Sequence, residues 1–298
     1  MSKEVLVLNT NPLLNLVHKG PIDLGVINRV PGFDMHAEGK GVNVARILSR
    51  LGQPVTVTGF AGGHSGAWLK DLVREEGIQE AFVETKAPMR VGFMASPSEL
   101  AHPTTLLPSG FPVTESECDE LFCQVERLLT PKVGLLIISG SVPDPVVAPL
   151  YPRLLDLAFT KGIPSWLDAH GDGLLKGLSS KTPPVLAKPN REEFLESKEW
   201  KRVPELHITD GENPIEILLA GFPAFKVTPP KIQQVNPVGC GDCYLAGLAY
   251  GVMQGWELER RIRFAAAAGT ANAARQDVAR ISPPEIIHYL DGVVLERL

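Results

Sequence analysis

Compact apolar runs alternate along this 298-residue chain with stretches whose apolar positions recur every three or four residues. The run 5–8 is apolar at every position, as expected of a strand buried on both faces of a parallel sheet. Over 41–51, Val44, Ile47, Leu48 and Leu51 share one helical face, and Gly52 closes it. Residues 55–60 then read as a strand and 67–73 as a helix. Further central strands are expected at 133–138, 166–167 and 207–208, with helices at 115–129 and 146–159. Two helices close the pattern, 242–253 and 257 to about 275, the second carrying a run of four alanines. Such alternation predicts an α/β fold, with a mostly parallel sheet covered by helices on both faces.

Three regions break the rhythm. Residues 14–35 hold half-polar strand candidates around Val17 and Ile27, split by Gly20-Pro21 and Pro31-Gly32, and 91–107 offers more of the same. These predict a small projecting β-sheet, a lid built from about 13–37 and 89–108. Residues 215–227 instead read as two strands turning at Gly221, an antiparallel edge of the main sheet. With no repeat or linker in view, 1–298 reads as a single domain bearing that lid.

Composition narrows the class. A net charge of −5 without a basic run argues against nucleic acid as a partner. No apolar stretch reaches the roughly 20 residues of a membrane span. The first apolar segment is interrupted by Asn9, Asn11 and Pro12, so it reads as a strand rather than a signal peptide, and a cytoplasmic location is expected. Four cysteines give no framework: Cys240 and Cys243 form a C-x-x-C with no second ligand pair, and read as small residues packing a helix start.

The chemistry concentrates in Asn236-Pro237-Val238-Gly239-Cys240-Gly241-Asp242, which runs into the apolar stretch 243–253. Free N–H groups at a helix start attract anions, and glycines let them approach a phosphate closely. A carboxylate there would repel a phosphate that merely binds. It suits a base that takes the proton of a hydroxyl attacking that phosphate. The turn therefore reads as a phosphoryl-transfer site. A second glycine-rich element, Gly39-Lys40-Gly41-Val42-Asn43-Val44-Ala45, also enters a helix. The usual Gly-rich nucleotide fingerprints are missing.

Together with Asn11-Pro12-Leu13-Leu14-Asn15, Ser139-Gly140-Ser141, Asp168, Lys188-Pro189-Asn190 with Glu193, Thr209-x-Gly211 and Gly269 to Ala273, these elements resemble the ribokinase-like (PfkB-type) carbohydrate kinases. Within that family the look is closest to the branch acting on fructose 1-phosphate and tagatose 6-phosphate type sugars. The resemblance implies a three-layer ribokinase-like fold and ATP and magnesium as cofactors. It implies Asp242 as base, with an anion hole from the N–H groups of Gly239, Cys240 and Gly241. Asn190 and Glu193 would organise magnesium through water. Lys188, Asn190, Thr209, Gly211 and Asn272 would line the nucleotide. Asn15, Gly39, Lys40 and Asn43 would hold sugar hydroxyls, while Arg90 and Arg29 would hold the acceptor's own phosphate. Lid sheets often pair in the family, so a homodimer is expected.

The chain departs from the family pattern in places. Asn15 stands where an acidic residue is usual, and Glu38 stands where a glycine is usual. Cys240 replaces a smaller residue, 107–110 lacks a polar pair, Pro214 replaces a glycine, and the segment between Glu193 and Ile208 is short. A kinase of an unphosphorylated sugar or nucleoside, or a non-catalytic sugar-phosphate- or nucleotide-binding protein, therefore stays open beside the hexose-monophosphate kinase. The directions of Glu38 and Arg90 bear on which it is.

Overall fold

The structure, a computed structural model, describes residues 3–95 and 103–298. Its centre is strand β1 (Glu4–Asn9), whose apolar residues are fully enclosed because it has parallel neighbours on both sides. After β1 come β2 (Leu13–His18), β3 (Asp34–Glu38), α1 (Lys40–Arg50), β4 (Val55–Gly59), α2 (Gly63–Glu75) and β5 (Gln79–Glu80). The middle of the chain supplies β6 (Val91–Ala95), β7 (Thr104–Leu106), α3 (Glu115–Leu128), β8 (Val133–Gly140), α4 (Leu150–Thr160) and β9 (Ser165–Ala169). It continues through α5 (Gly171–Leu178), β10 (Leu186–Ala187), α6 (Arg191–Leu195), β11 (Glu205–Ile208), β12 (Ile215–Leu219) and β13 (Phe222–Thr228). Helices α7 (Cys240–Met253), α8 (Leu258–Ala273) and α9 (Pro283–Leu290) precede the last strand, β14 (Val294–Arg297).

Ten strands form the main sheet in the order β14-β13-β12-β11-β10-β9-β8-β1-β4-β5. From β5 to β11 all pairings are parallel, and β12, β13 and β14 add an antiparallel edge. Helices α1, α7 and α8 pack in series, and α3, α4 and α5 form a second series, giving the expected three layers. The turn at Gly221 (φ 84°) joins β12 to β13 as the sequence suggested.

A separate four-stranded sheet has the order β3-β2-β6-β7. Only one of its two expected first strands is where the pattern put it. The stretch around Ile27 is a loop in which Leu24, Val26 and Ile27 are exposed. Asn28 pins it by accepting from the Asp23 N–H and donating to the Asp23 carbonyl. The second strand is β3, whose half-polar composition hid it.

Other boundaries move for local reasons. The expected helix 146–159 divides into one 3-10 turn, Pro145–Val147, and α4, with Pro149 as the cap between them. Helix α7 starts two residues before Asp242, and α6 has only five residues. Helix α5, α9 and edge strand β14 were not anticipated; β14 reads Val-Leu-Glu-Arg and is mostly exposed.

Candidate active site

The carboxyl ends of β1, β8, β9 and β10 converge, and the two glycine-rich helix starts meet them there. Open parallel sheets form ligand crevices at such strand ends. Gly39 is the only residue between β3 and α1, with φ 123°. A Cβ on it would fall 2.6 Å from Asn9 Oδ1, so only glycine fits this junction. Asn9 Oδ1 itself accepts from the Val42 N–H at 3.0 Å, tying the end of β1 to the start of α1.

At the other helix start Gly239 is left-handed (φ 83°), and a Cβ there would meet Val278 Cγ1 at 2.7 Å. The first-turn N–H groups of α7 have no preceding helical carbonyl to bond. Cys240 N–H makes only a long 3.4 Å bond to the Pro237 carbonyl. Asn272 stands behind this turn. Its Nδ2 donates to the Val238 carbonyl at 2.8 Å, and its Oδ1 accepts from the Ala279 N–H at 2.7 Å.

Asp242 lies in the first turn of α7, buried because that helix is enclosed on nearly all sides. Asn43 Nδ2 donates to Asp242 Oδ2 at 2.8 Å, and Arg46 Nη1 donates to Asn43 Oδ1 at 2.8 Å. The guanidinium thereby dictates which end of the Asn43 amide faces the carboxylate. Burial, then the nearby Asp168 charge, push the Asp242 carboxyl up to about 6, against Lys40, the Asn43 bond and Lys188.

Two ammonium groups converge on one oxygen of Asp168. Lys40 Nζ and Lys188 Nζ each lie 3.3 Å from Asp168 Oδ1, and Lys40 Nζ is 3.7 Å from Glu193 Oε1. Burial pulls the Lys40 ammonium down, but Asp168, Glu193 and Asp242 outweigh it and hold it above the ordinary lysine range. Burial likewise acts to raise Asp168, yet the two lysines keep its carboxyl below the usual range. A Cβ at Gly241 would come 3.1 Å from Lys188 Nζ, so this ammonium sits directly over the anion-seeking turn.

Four of the six buried side-chain polar atoms without a partner among the described residues gather at these strand ends, Asn9 Nδ2, Asn11 Oδ1, Ser139 Oγ and Asp168 Oδ2, and a fifth, Asn15 Oδ1, lies on β2 of the small sheet. Folded proteins seldom leave such groups unpaired, and their concentration here marks a site shaped for a polar ligand.

Of the residues singled out from the sequence, Lys40 and Lys188 meet at Asp168, Lys40 also pairs with Glu193, and the bonded Asn43 and Asp242 lie within reach of these charges, with Gly239, Cys240 and Gly241 next in the chain. Asn190 and Glu193 form a reciprocal capping box on α6: Glu193 N–H donates to Asn190 Oδ1 at 2.7 Å, and Asn190 N–H donates to Glu193 Oε2 at 2.8 Å. Thr209 bridges to Asn190, its N–H donating to the Pro189 carbonyl at 3.0 Å, and Gly211 (φ 56°) lies exposed in the turn beyond.

The acceptor-side residues divide. Asn15 is buried and donates from Nδ2 to Glu38 Oε2 at 2.9 Å, so Glu38 points inward rather than to solvent. Arg90 reaches the carbonyls of Asn11 (2.8 Å), Pro12 (3.2 Å) and Pro108 (2.9 Å), spending three of its five donors on backbone. Arg29 is exposed on the loop between β2 and β3, outside the cluster. Asn9 was missed because a lone Asn at a strand end carries no signature. Asp168 was noticed only as part of a pattern, without a role.

The profile of the pfkB family carbohydrate kinases matches residues 14–285. The chain belongs to this family. It is 30% identical to tagatose-6-phosphate kinase of Staphylococcus epidermidis, over 93% of this chain and 94% of that one. It is 31% identical to 1-phosphofructokinase of Vibrio cholerae, over 90% and 88% of the two chains. The fold is shared with Escherichia coli phosphofructokinase-2 in complex with potassium, at TM-score 0.87, 23% identity and coverage of 97% and 98%. An Agrobacterium tumefaciens carbohydrate kinase aligns with TM-score 0.71 at 18% identity, over 99% and 100%. This pfkB family carbohydrate kinase is thus a ribokinase-like phosphotransferase. No helix among its described residues is long and apolar enough to cross a membrane.

Proposed function

We propose that the protein transfers the γ-phosphoryl group of ATP to a hydroxyl of a hexose monophosphate, of the fructose 1-phosphate or tagatose 6-phosphate type. The observation that carries the chemistry is Asp242: a buried carboxylate in the first turn of α7, beside the left-handed glycine turn at Gly239 and two ammonium groups. Its raised pKa, about 6, suits a base that is ionised near neutrality yet accepts a proton readily. Asp242 takes the acceptor's hydroxyl proton as the oxygen bonds to phosphorus and the bond from phosphorus to the bridging oxygen breaks, releasing ADP. The turn at 239–241 receives the negative charge that develops, and Lys188 offsets charge on the same side.

Magnesium, when bound, supplies charge neutralisation along the nucleotide phosphates. Among the described residues no group of three or more His, Cys, Asp or Glu could hold a metal ion. Glu193 keeps Oε1 outside its capping box, so contact through water fits this residue. Asn190 holds α6 in place to present it.

The small sheet serves as a lid whose closure excludes water. Its outward face aligns Leu16, Phe93 and Leu106 across three strands, and that apolar row supports a homodimer through the lid. ATP as donor and four unpaired cysteines fit a cytoplasmic location.

A second reading, a kinase of an unphosphorylated sugar or nucleoside, is favoured by one observation: Arg90 is engaged with backbone carbonyls while Glu38 faces inward. Assays with ATP, magnesium and fructose, tagatose, nucleosides and their phosphates separate the readings. Turnover of hexose monophosphates is expected, falling about 10²–10⁴-fold in Asp242→Asn. Turnover of unphosphorylated acceptors alone overturns the first reading, and full activity in Asp242→Asn removes Asp242 as base.

A further inference from the structure

The end of β3 is held by two guanidinium groups that meet on one carboxylate. Arg46 of α1 donates from Nη2 to the Ala37 carbonyl and from Nε to Glu76 Oε2. Arg280, in the segment that follows α8, donates from Nη1 to Glu76 Oε1 at 2.9 Å and from Nη2 to His36 Nδ1 at 2.8 Å. Glu76 caps the C-terminal end of α2, so three parts of the main body grip two consecutive residues of the small sheet. Arg46 also orients Asn43, which donates to Asp242. An unbroken chain of hydrogen bonds thus runs from His36 through Arg280, Glu76, Arg46 and Asn43 to Asp242. The transfer chemistry leaves its far end, His36, without a role.

Arginine only donates, so His36 Nδ1 must offer a lone pair and the ring proton sits on Nε2. An imidazolium donates from both nitrogens and would face the Arg280 guanidinium, cation against cation. The ring is half-buried, and with Arg280 it lines a pocket of about 380 Å³ between the small sheet and 275–280, which gives water access to it. Charged groups face it from several elements. Asp34, paired with Lys19 at 2.6 Å, and the buried Glu38 share its face of β3. Arg46 comes from α1, Glu76 from the end of α2, and Arg275, Asp277 and Arg280 from the opposite wall of the pocket. Burial, then Arg280 and Arg46, push the His36 imidazole below its ordinary value, and Asp34 and Glu76 oppose them. The neutral form therefore prevails at pH 7, and its bond to Arg280 is lost as pH falls through that lowered value.

We propose that His36 is a positioning residue for phosphoryl transfer: as a neutral acceptor it clamps the end of β3 to Arg280, and a proton on it releases the small sheet from the main body. Only Ala37, Glu38 and Gly39 separate His36 from Lys40, so release reaches the charge cluster along the backbone as well as through the hydrogen-bond chain. The clamp rests on the kinase reading above for its effect on turnover, while its effect on the small sheet can be measured without any substrate.

Asparagine offers an acceptor oxygen near the place of Nδ1 and does not titrate, whereas phenylalanine keeps a ring without an acceptor. With ATP, magnesium and the hexose monophosphates at neutral pH, His36→Phe should raise KM for the acceptor about 10-fold, with KM for ATP unchanged, as one bond to a charged group is lost. His36→Asn should restore it. Between about pH 5 and 8 the acid limb of kcat/KM should be steeper by one proton in the wild type than in His36→Asn, because ionisation of Asp242 and of the sugar phosphate is common to both. Amide exchange over 34–38, corrected for intrinsic rates, should lose protection toward the acid end in the wild type and not in His36→Asn. Limbs of equal steepness, or protection that follows pH alike in both proteins, overturn the clamp and leave the kinase reading intact. A protein that phosphorylates none of these sugars, while its exchange follows the expected pattern, keeps the clamp and loses the kinase reading.

Discussion

Asp242 shows how one side chain couples chemistry to stability. Its folded pKa of about 6 lies above the ordinary aspartate value, so between these two values the native state holds more protons than the unfolded chain. Stability from this group is full at acid pH and is lost as pH rises through about 6. Asparagine imitates the protonated acid. Asp242→Asn should therefore stabilise the protein at pH 7.5 by up to about 3 kcal/mol, and hardly at pH 4. Thermal melts at the two pH values check this; equal shifts at both would disconnect the effect from ionisation. The position of Asp242 was legible in the sequence, because a glycine turn before an apolar helix has few other uses. The direction of Glu38 was not, since a charged residue at a strand end ordinarily points to solvent. Only the cross-strand contact with Asn15 turned it inward.

Helix α1 organises the site by spacing alone. Lys40, Asn43 and Arg46 stand three residues apart, so they share a face. Lys40 reaches Asp168, Asn43 reaches Asp242, and Arg46 secures Asn43 while also bonding Glu76 and the Ala37 carbonyl on β3. Arg46 is a positioning residue. In Arg46→Lys the Asn43 amide is free to rotate away, so kcat should fall about tenfold as one charge-assisted bond is lost. The acid limb of the kcat–pH profile should move upward as Asp242 loses its donor, with KM for ATP unchanged. An unaltered profile in a folded variant would assign Arg46 a structural role only. The helix itself was readable from its apolar face. Its polar relay was not, because the partner Glu76 lies 30 residues away and beyond another helix. The elements that escaped notice, α5, α9 and β14, are short, and β14 offers too few buried positions to show a period.

At the level of the whole molecule, the parallel sheet and its antiparallel edge followed from the order of apolar runs, because each run had to be covered on both faces. The small sheet was visible only in outline, since half-polar strands at a surface resemble loops such as 21–33. Its outward apolar row is the basis for the proposed dimer. Leu106 is 64% exposed, and Phe93 has Phe33 at 5.8 Å as an edge-on neighbour. Light scattering at micromolar concentration should report two copies, and Phe93→Asp combined with Leu106→Asp should give one. A wild type that is monomeric throughout removes the proposed interface.

Gly39 is the whole connection between β3 and α1. Any movement of the small sheet would also turn the first residues of the helix that bears Lys40 and Asn43. No slack separates the small sheet from the helix that carries the charge cluster. Lengthening or loosening the joint would shift Lys40 and its contacts with Asp168 and Glu193 in the same stroke.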